Sequence, residues 1–237
     1  MLFLRASPAE LIRSLGMEQV YLAVWVSLKT TLISLVLILL FGTPVAYWMG
    51  RFNFRWKRVV DTLIDLPTIL PPSVAGVALL MTFGRRGLFG GWLEALGVPI
   101  AFTQAAVVLA QVFVASPFYV RAASLGFASI ETEIEHAAQL DGANRWQIFR
   151  YVIFPLSGSA LISGSMMSWA RALGEFGATI MFAGNFPGKT QTMPTAIYLG
   201  FEVDLNIALT LSVILVTISF FSILLVKGLV ARRTDQG

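Results

Sequence analysis

The chain alternates between long apolar stretches and short polar segments. Five apolar stretches exceed the roughly 20 residues that cross a bilayer, and they cover residues 20–49, 59–83, 102–127, 152–183 and 206–226. The second is unusual because Asp61 and Asp65 stand near its start and because it is interrupted by Pro67, Pro71, Pro72 and Gly76. Backbone groups freed inside a membrane must be buried in protein or line a wet cavity, so we expect this span to face inward.

The longest polar segment, the polar loop at residues 129–151, separates the third and fourth spans. Its acidic residues precede its basic ones, an order that suits the dipole of a helix. Gly142 interrupts the helical pattern at a cost of about 1 kcal/mol relative to alanine, which indicates a bend, and Pro155 then opens the next span. At this point a solvated hairpin joining two spans and a surface read by a partner both remain open.

Composition supports a membrane protein, since 57% of the 237 residues are hydrophobic and only 13% are charged, against about a quarter in soluble domains. The absence of cysteine and the single His136 exclude thiolate metal sites, a cysteine nucleophile and a histidine cluster. The chain therefore lacks the nucleophile, base or metal ligands that an intramembrane enzyme needs. The net charge of +4 comes from basic residues beside apolar spans, which argues against nucleic acid as a partner.

Basic residues also predict the topology. With the N-terminus outside and the C-terminus in the cytoplasm, ten Lys and Arg fall on the inner side and five on the outer side, a bias that matches the positive-inside rule. The polar loop is then cytoplasmic. Residues 8–16 predict a short interfacial helix. The apolar run before Arg5 is too short for a cleavable signal, so we expect the chain to be kept whole.

The polar loop and the start of the next span carry a recognisable pattern of small residues. His136-Ala137-Ala138, then Gly142, then Val152-Ile153-Phe154-Pro155 resemble the Glu-Ala-Ala, Gly, Ile-x-Leu-Pro signature of the membrane permease subunits of ATP-binding cassette (ABC) importers. The alanines, the glycine and the proline match at the right spacing. His136 stands where the signature has glutamate. A role that depends on the glutamate carboxylate therefore does not carry over to this position.

The resemblance implies an all-α integral membrane protein of the type I importer class, with one permease domain over residues 1–237. It also implies a coupling helix in the polar loop that docks on a separate ATPase, and a complex of two permeases, two ATPase subunits and an extracytoplasmic binding protein in a prokaryotic cytoplasmic membrane. ATP and Mg would bind to the ATPase, and this chain would bind no cofactor. The expected coupling contacts are His136, Ala137, Ala138, Asp141, Gly142 and Trp146.

Four further stretches are similar to molybdate-type importer permeases, and sulfate permeases are similar at several of them: residues 66–74, 84–87, 171–179 and 187–192. Some relatives carry an additional N-terminal helix, so five spans rather than six are expected here. The resemblance implies import of a tetrahedral oxyanion, most simply molybdate, with tungstate or sulfate as alternatives. A channel that works without an ATPase is the alternative from another class, and the coupling signature argues against it.

Arg171 and Glu175 are four residues apart, so one helix face would carry both. A charge in hydrocarbon costs at least about 2.5 kcal/mol, so the two form either a neutralising pair inside the bundle or a pair that lines the transport pathway. Thr68, Ser73 and Thr179 are further candidates for the pathway. Small residues recur every four positions in this span, and they could pack within one subunit or near a dimer axis: Ala160, Gly164, Ser168 and Ala172.

Residues 183–190 only superficially resemble a nucleotide-binding motif. They look like a phosphate-binding loop, but that motif needs glycine where Ala183 stands, and it needs a preceding strand. We therefore expect no catalytic or nucleotide site in this chain.

Overall fold

The computed structural model describes residues 16–234, so nearly all of the predicted interfacial helix lies outside the described residues. The described part of the chain is helical. In chain order the helices are α1 (Glu18–Arg51), α2 (Lys57–Ile69), α3 (Pro72–Phe83), α4 (Gly90–Ala95), α5 (Gln104–Ala128), α6 (Thr132–Leu140), α7 (Arg145–Leu156), α8 (Gly158–Leu173), α9 (Gly177–Ala183), α10 (Met193–Val203) and α11 (Leu205–Thr234).

Three helices, α1, α5 and α11, are long and apolar enough to cross a membrane. Two bent pairs of helices give up to five crossings if each pair counts as one span. In these pairs α2 and α3 meet at 115°, and α7 and α8 meet at 69°. The first bend has a local cause, because a residue before proline avoids the helical region. Leu70 and Pro71 each precede a proline, and both are extended, with ψ of 135° and 133°.

The predicted fourth span, residues 152–183, is not one continuous helix. The chain bends at Ser157, between α7 and α8, and α8 ends at Leu173 before the short α9 begins. An apolar pattern measures how far a segment prefers lipid or protein to water. It does not report where glycine and proline interrupt the backbone hydrogen bonds.

The core of the bundle is α5, which packs against both α1 and α8. Small residues allow this approach: a Cβ placed on Gly164 would lie 2.9 Å from the Cβ of Ala122, and the Ser168 hydroxyl donates to the Ala115 carbonyl at 2.7 Å. Gly126 of α5 faces Ala160 in the same way. The small-residue stripe of α8 therefore packs against α5 of the same chain, which decides between the two alternatives left open by the sequence.

A second close contact joins α3 to α9. A Cβ on Gly76 would lie 2.7 Å from the Ala178 carbonyl oxygen, and one on Gly177 would lie 2.7 Å from the Pro72 side chain. The halves of two interrupted segments thus meet at two glycines. On the other side of the bundle, α10 and α11 pack together, and the Ser27 hydroxyl of α1 accepts a hydrogen bond from the Met193 N–H at the start of α10.

Candidate functional site

The polar loop folds into helix α6, a tight turn and the start of α7. The turn is a Schellman motif: the Gly142 N–H donates to the Gln139 carbonyl at 3.0 Å, and the Ala143 N–H donates to the Ala138 carbonyl at 3.0 Å. Gly142 has φ of +84°, a left-handed conformation that favours glycine. A Cβ added there would meet no atom within 4 Å. The turn therefore needs glycine for its backbone conformation and not for space.

The first turn of α7 is fixed by a capping box. The Asn144 side chain accepts from the Gln147 N–H at 2.9 Å, and the Gln147 side chain accepts from the Asn144 N–H at 2.7 Å. Two positions on, Phe149 begins a π-helical turn, Phe149–Ile153. Turns of this kind are frequent at functional sites.

Phe149 connects the loop to the transmembrane helices. Its ring centroid lies 4.9 Å from that of Tyr47 on α1 and 6.3 Å from that of Phe127 on α5. On the other side the ring of Trp146 lies 5.7 Å away. The exposed start of α7 is therefore packed through one aromatic residue onto two helices of the bundle core.

The six residues predicted to form the coupling contact do not all face outward. His136, Ala137, Asp141 and Gly142 are exposed, and Trp146 is 65% exposed. Ala138 is half-buried and packs against the core beneath α6. The structure thus gathers five of the six on the outside of one helix-turn-helix unit, with Ala138 as part of its base.

Arg171 and Glu175 form an ion pair, with Arg171 Nη1 2.6 Å from Glu175 Oε2. The prediction that one helix face carries both is wrong, because α8 ends at Leu173 and Glu175 lies in the break before α9. Glu175 Oε1 accepts a hydrogen bond from the Ala178 N–H at 2.8 Å, in the first turn of α9. Glu175 is only 1% exposed and Arg171 29%. The carboxylate therefore neutralises the arginine and caps α9 at once.

The hydroxyl candidates for the pathway separate into two groups. Thr68 and Ser73 are exposed on either side of the break between α2 and α3, and the Thr68 hydroxyl donates to the Asp65 carbonyl at 2.7 Å. Thr179 is fully buried in α9. The structure brings the helix of Ser73 against the helix of Thr179 through Gly76 and Gly177, but of the three hydroxyl residues only Thr68 and Ser73 are left uncovered by this chain.

A charged cluster ties α2 to α5. Arg121 Nε lies 2.7 Å from Asp65 Oδ1, Arg121 Nη1 lies 2.5 Å from Asp61 Oδ1, and Arg121 Nη2 also contacts Asp65. The sequence pattern placed both aspartates near the start of the second span but gave no link to Arg121. A signal was present, since residues 61 and 65 are one helical turn apart and share a face.

Comparison with known proteins agrees with this architecture. The family model described as binding-protein-dependent transport system inner membrane component matches residues 42–236. The chain belongs to this family. Among curated relatives of this permease, the molybdenum transport system permease protein ModB of Mycobacterium bovis is 43% identical over 213 residues, covering 90% of this chain and 81% of that protein. The probable sulfate transport system permease protein cysT of Chlorokybus atmophyticus is 36% identical over 197 residues, covering 83% and 69%.

The fold of the permease is similar to that of a solved importer. A chain of a bacterial ABC transporter involved in the import of the acidic polysaccharide alginate matches with a TM-score of 0.76 at 15% identity, covering 95% of this chain and 84% of that one. Together with the family match, this similarity confirms the predicted fold class and the resemblance to ABC importer permeases.

Two exposed apolar residues of the permease were missed by sequence reasoning. Leu140, the last residue of α6, is 90% exposed, and Tyr151 in the π-helical turn is also exposed. Three large apolar residues within twelve positions of a mostly polar segment, Leu140, Trp146 and Tyr151, could have indicated a contact surface. The signature drew attention to the alanines and the glycine instead.

Proposed function

We propose that this permease imports a tetrahedral oxyanion, most simply molybdate, by alternating access driven by a separate ATPase. The observation that carries the proposal is the exposed helix-turn-helix of α6 and α7, which is rigidly capped and packed through Phe149 onto α1 and α5. Such a unit can receive a force outside the membrane and pass it inward. The molybdenum permease relative at 43% identity supports the choice of oxyanion.

In this proposal the working unit contains two copies of the permease, two ATPase subunits and an extracytoplasmic binding protein for the oxyanion. ATP and Mg bind to the ATPase, and this chain performs no catalysis. The bias of basic residues supports an N-terminus outside and a C-terminus in the cytoplasm of a prokaryotic cell. That orientation puts α6 on the side where ATP is available.

The docking surface comprises the exposed residues of the loop. Ala137 lets the ATPase approach the backbone closely, and Gly142 holds the turn in its left-handed form. Leu140 and Trp146 offer apolar side chains, one of which is aromatic as in many interface hot spots. His136 and Asp141 supply polar contacts at the rim. Ala138 acts from below, because its half-buried methyl group packs α6 onto the bundle.

The pathway is proposed to run beside the break between α2 and α3. Thr68 and Ser73 are exposed there, and hydroxyl groups are donors of the kind that an oxyanion needs. The Thr68 hydroxyl would have to leave the Asp65 carbonyl to donate to an oxyanion. Glu175 and Thr179 lie behind them, buried around α9, so they support the pathway wall. Arg171 is paired with Glu175 and presents little net charge to a passing anion.

Reconstitution tests the proposal directly. The permease is placed in proteoliposomes with its cognate ATPase and binding protein, and ATP hydrolysis and uptake are measured with molybdate, tungstate or sulfate. Molybdate is expected to stimulate hydrolysis most and to be taken up. A sulfate response that exceeds the molybdate response would favour the second candidate, which the sulfate permease relative supports. Oxyanion or ion flux without the ATPase would instead indicate a channel and would refute the proposal.

A further inference from the structure

The end of α1 is tied to the coupling segment by one side chain. Arg51 is the last residue of α1, and its Nη1 donates to the Phe127 carbonyl at 3.1 Å and to the Ile130 carbonyl at 2.7 Å. Its Nη2 forms an ion pair with Glu135 in α6. One guanidinium on α1 therefore contacts three places: the end of α5, the turn that follows α5, and helix α6.

We propose that Arg51 is a positioning residue for coupling, which makes α6 move together with the ends of α1 and α5. The proposal rests on the proposed function, since it assumes that an ATPase pulls on α6. Phe149 holds α7 to the bundle, and Arg51 would do the same for α6. The force would then reach the transmembrane helices through both halves of the helix-turn-helix.

Burial supports the role of Arg51. Its side chain is only 9% exposed and that of Glu135 only 18%, although both lie at the polar end of the bundle. None of the nine residues of α6 is itself buried, so the apolar packing that holds this helix is slight. Opposite charges attract each other more strongly where water is partly excluded than at an exposed surface. The Arg51–Glu135 pair is consequently a major attachment of α6.

The geometry also distinguishes coupling from simple helix capping. Helix α5 ends at Ala128, so the Phe127 carbonyl is one of the last four that lack a partner inside the helix. Capping explains the bond to the Phe127 carbonyl, and a lysine could also donate to that carbonyl. Ile130 lies beyond the end of α5, so the bond to its carbonyl fixes the turn that follows the helix. Capping does not explain the pair with Glu135, which requires the planar fork of arginine to reach a second element at the same time.

Helices α1 and α5 pack very closely beside Arg51. Gly50, the neighbour of Arg51, has no room for a side chain, since a Cβ would lie 2.6 Å from the Ser124 carbonyl oxygen. The two helices are therefore as close as their backbones allow where Arg51 crosses between them. Beside the contact lies a cleft of about 550 Å³ lined by Tyr47, Phe52 and Glu131 among others, which leaves α6 room to move when the tie is cut.

The test uses the assembled transporter in proteoliposomes and measures oxyanion uptake per ATP hydrolysed. Arg51→Ala and Glu135→Gln are each expected to lower this ratio by about tenfold, within the usual range of coupling free energies, while ATP hydrolysis itself continues. The ratio of Arg51→Lys is expected to lie between that of Arg51→Ala and that of the natural chain. Arg55→Ala, which removes an exposed arginine four residues further on, is the matched control and should leave the ratio unchanged.

A covalent replacement keeps the proposal falsifiable if the single variants assemble poorly. The chain has no natural cysteine, so the Arg51→Cys, Glu135→Cys double variant can be joined by a short reducible bifunctional reagent. The cross-linked transporter should recover the ratio of the natural chain, and reduction of the same sample should return it to the low ratio of the single variants. An unchanged ratio in Arg51→Ala, or no difference on reduction, would overturn the role of Arg51. Failure of the natural chain to bind the ATPase would instead refute the proposed function.

Discussion

Replacing Gly142 tests whether the turn after α6 is needed in its left-handed form. The φ of +84° disfavours any residue with a Cβ, and the left-handed region costs roughly 1–2 kcal/mol for an ordinary L-residue. Asparagine tolerates this region better than alanine does, and a β-branched residue tolerates it worse. No clash adds to the cost, because a Cβ at this position meets nothing within 4 Å.

The expected effect follows from that cost. If a variant spends less time in the native turn, its apparent affinity for the ATPase falls in proportion to the native fraction, and at most by the full conformational cost. A cost of 1–2 kcal/mol therefore sets an upper limit of about 5- to 30-fold on the rise in Kd for Gly142→Ala. Gly142→Asn should show a smaller rise and Gly142→Val a larger one. The assay is equilibrium binding of the purified ATPase to the detergent-solubilised permease, with coupled uptake measured in parallel.

The test depends on the order of the Kd values of the three Gly142 variants. Equal losses for asparagine and valine would mean that the side chain obstructs the docked ATPase, and the argument from backbone conformation would be refuted. Intact binding and uptake in Gly142→Val would show that the assignment of the polar loop as the coupling segment is wrong. Thermal unfolding of each variant separates either result from general destabilisation.

Three further predictions concern other contacts. Leu140→Asp should raise the Kd for the ATPase about tenfold or more by removing an apolar side chain from the interface, with little change in Tm because Leu140 is 90% exposed; Leu88→Asp, another exposed leucine, is the control and should bind normally. Gly76→Val should destabilise the fold by about 1–3 kcal/mol through overpacking against Ala178 and Met181, measured by Tm in detergent, whereas Gly91→Ala, with open space around it, should not. Glu175→Gln should cost about 1–3 kcal/mol because it leaves Arg171 without its counter-charge; the Arg171→Gln, Glu175→Gln double variant should recover part of the loss, and no recovery would mean that the charge pair is not the cause.

The apolar pattern was informative because preference for lipid or water is a property of each short segment. Helices occupy all five predicted stretches, with α1 and α5 within two residues of the predicted ends at 20–49 and 102–127. The bend at Leu70 and Pro71 was also foreseeable, since proline acts on the residue before it. The bend at Gly142 was foreseeable for the same reason, because the glycine that interrupts the helical pattern is itself what permits a left-handed turn.

The structure was needed wherever two distant segments meet. Sequence spacing put Arg171 and Glu175 on one helix, but the chain breaks between them so that Glu175 can cap α9. The small residues of α8 were compatible with either a dimer axis or the bundle core until they were seen against α5. Spacing reports neighbours only while the helix continues, and it says nothing about which other helix lies opposite.

The sequence by itself thus determined that this protein has membrane-spanning stretches and a polar segment with a bend at Gly142, because hydrophobic pattern and turn chemistry are local. The importer signature in that segment then identified the permease family. Tertiary structure alone decided how that segment is attached. Arg51 reaches Glu135 across 84 positions in the chain, and Phe149 reaches Tyr47 on α1 and Phe127 on α5. Contacts of this kind depend on how helices pack, which no single stretch of residues specifies.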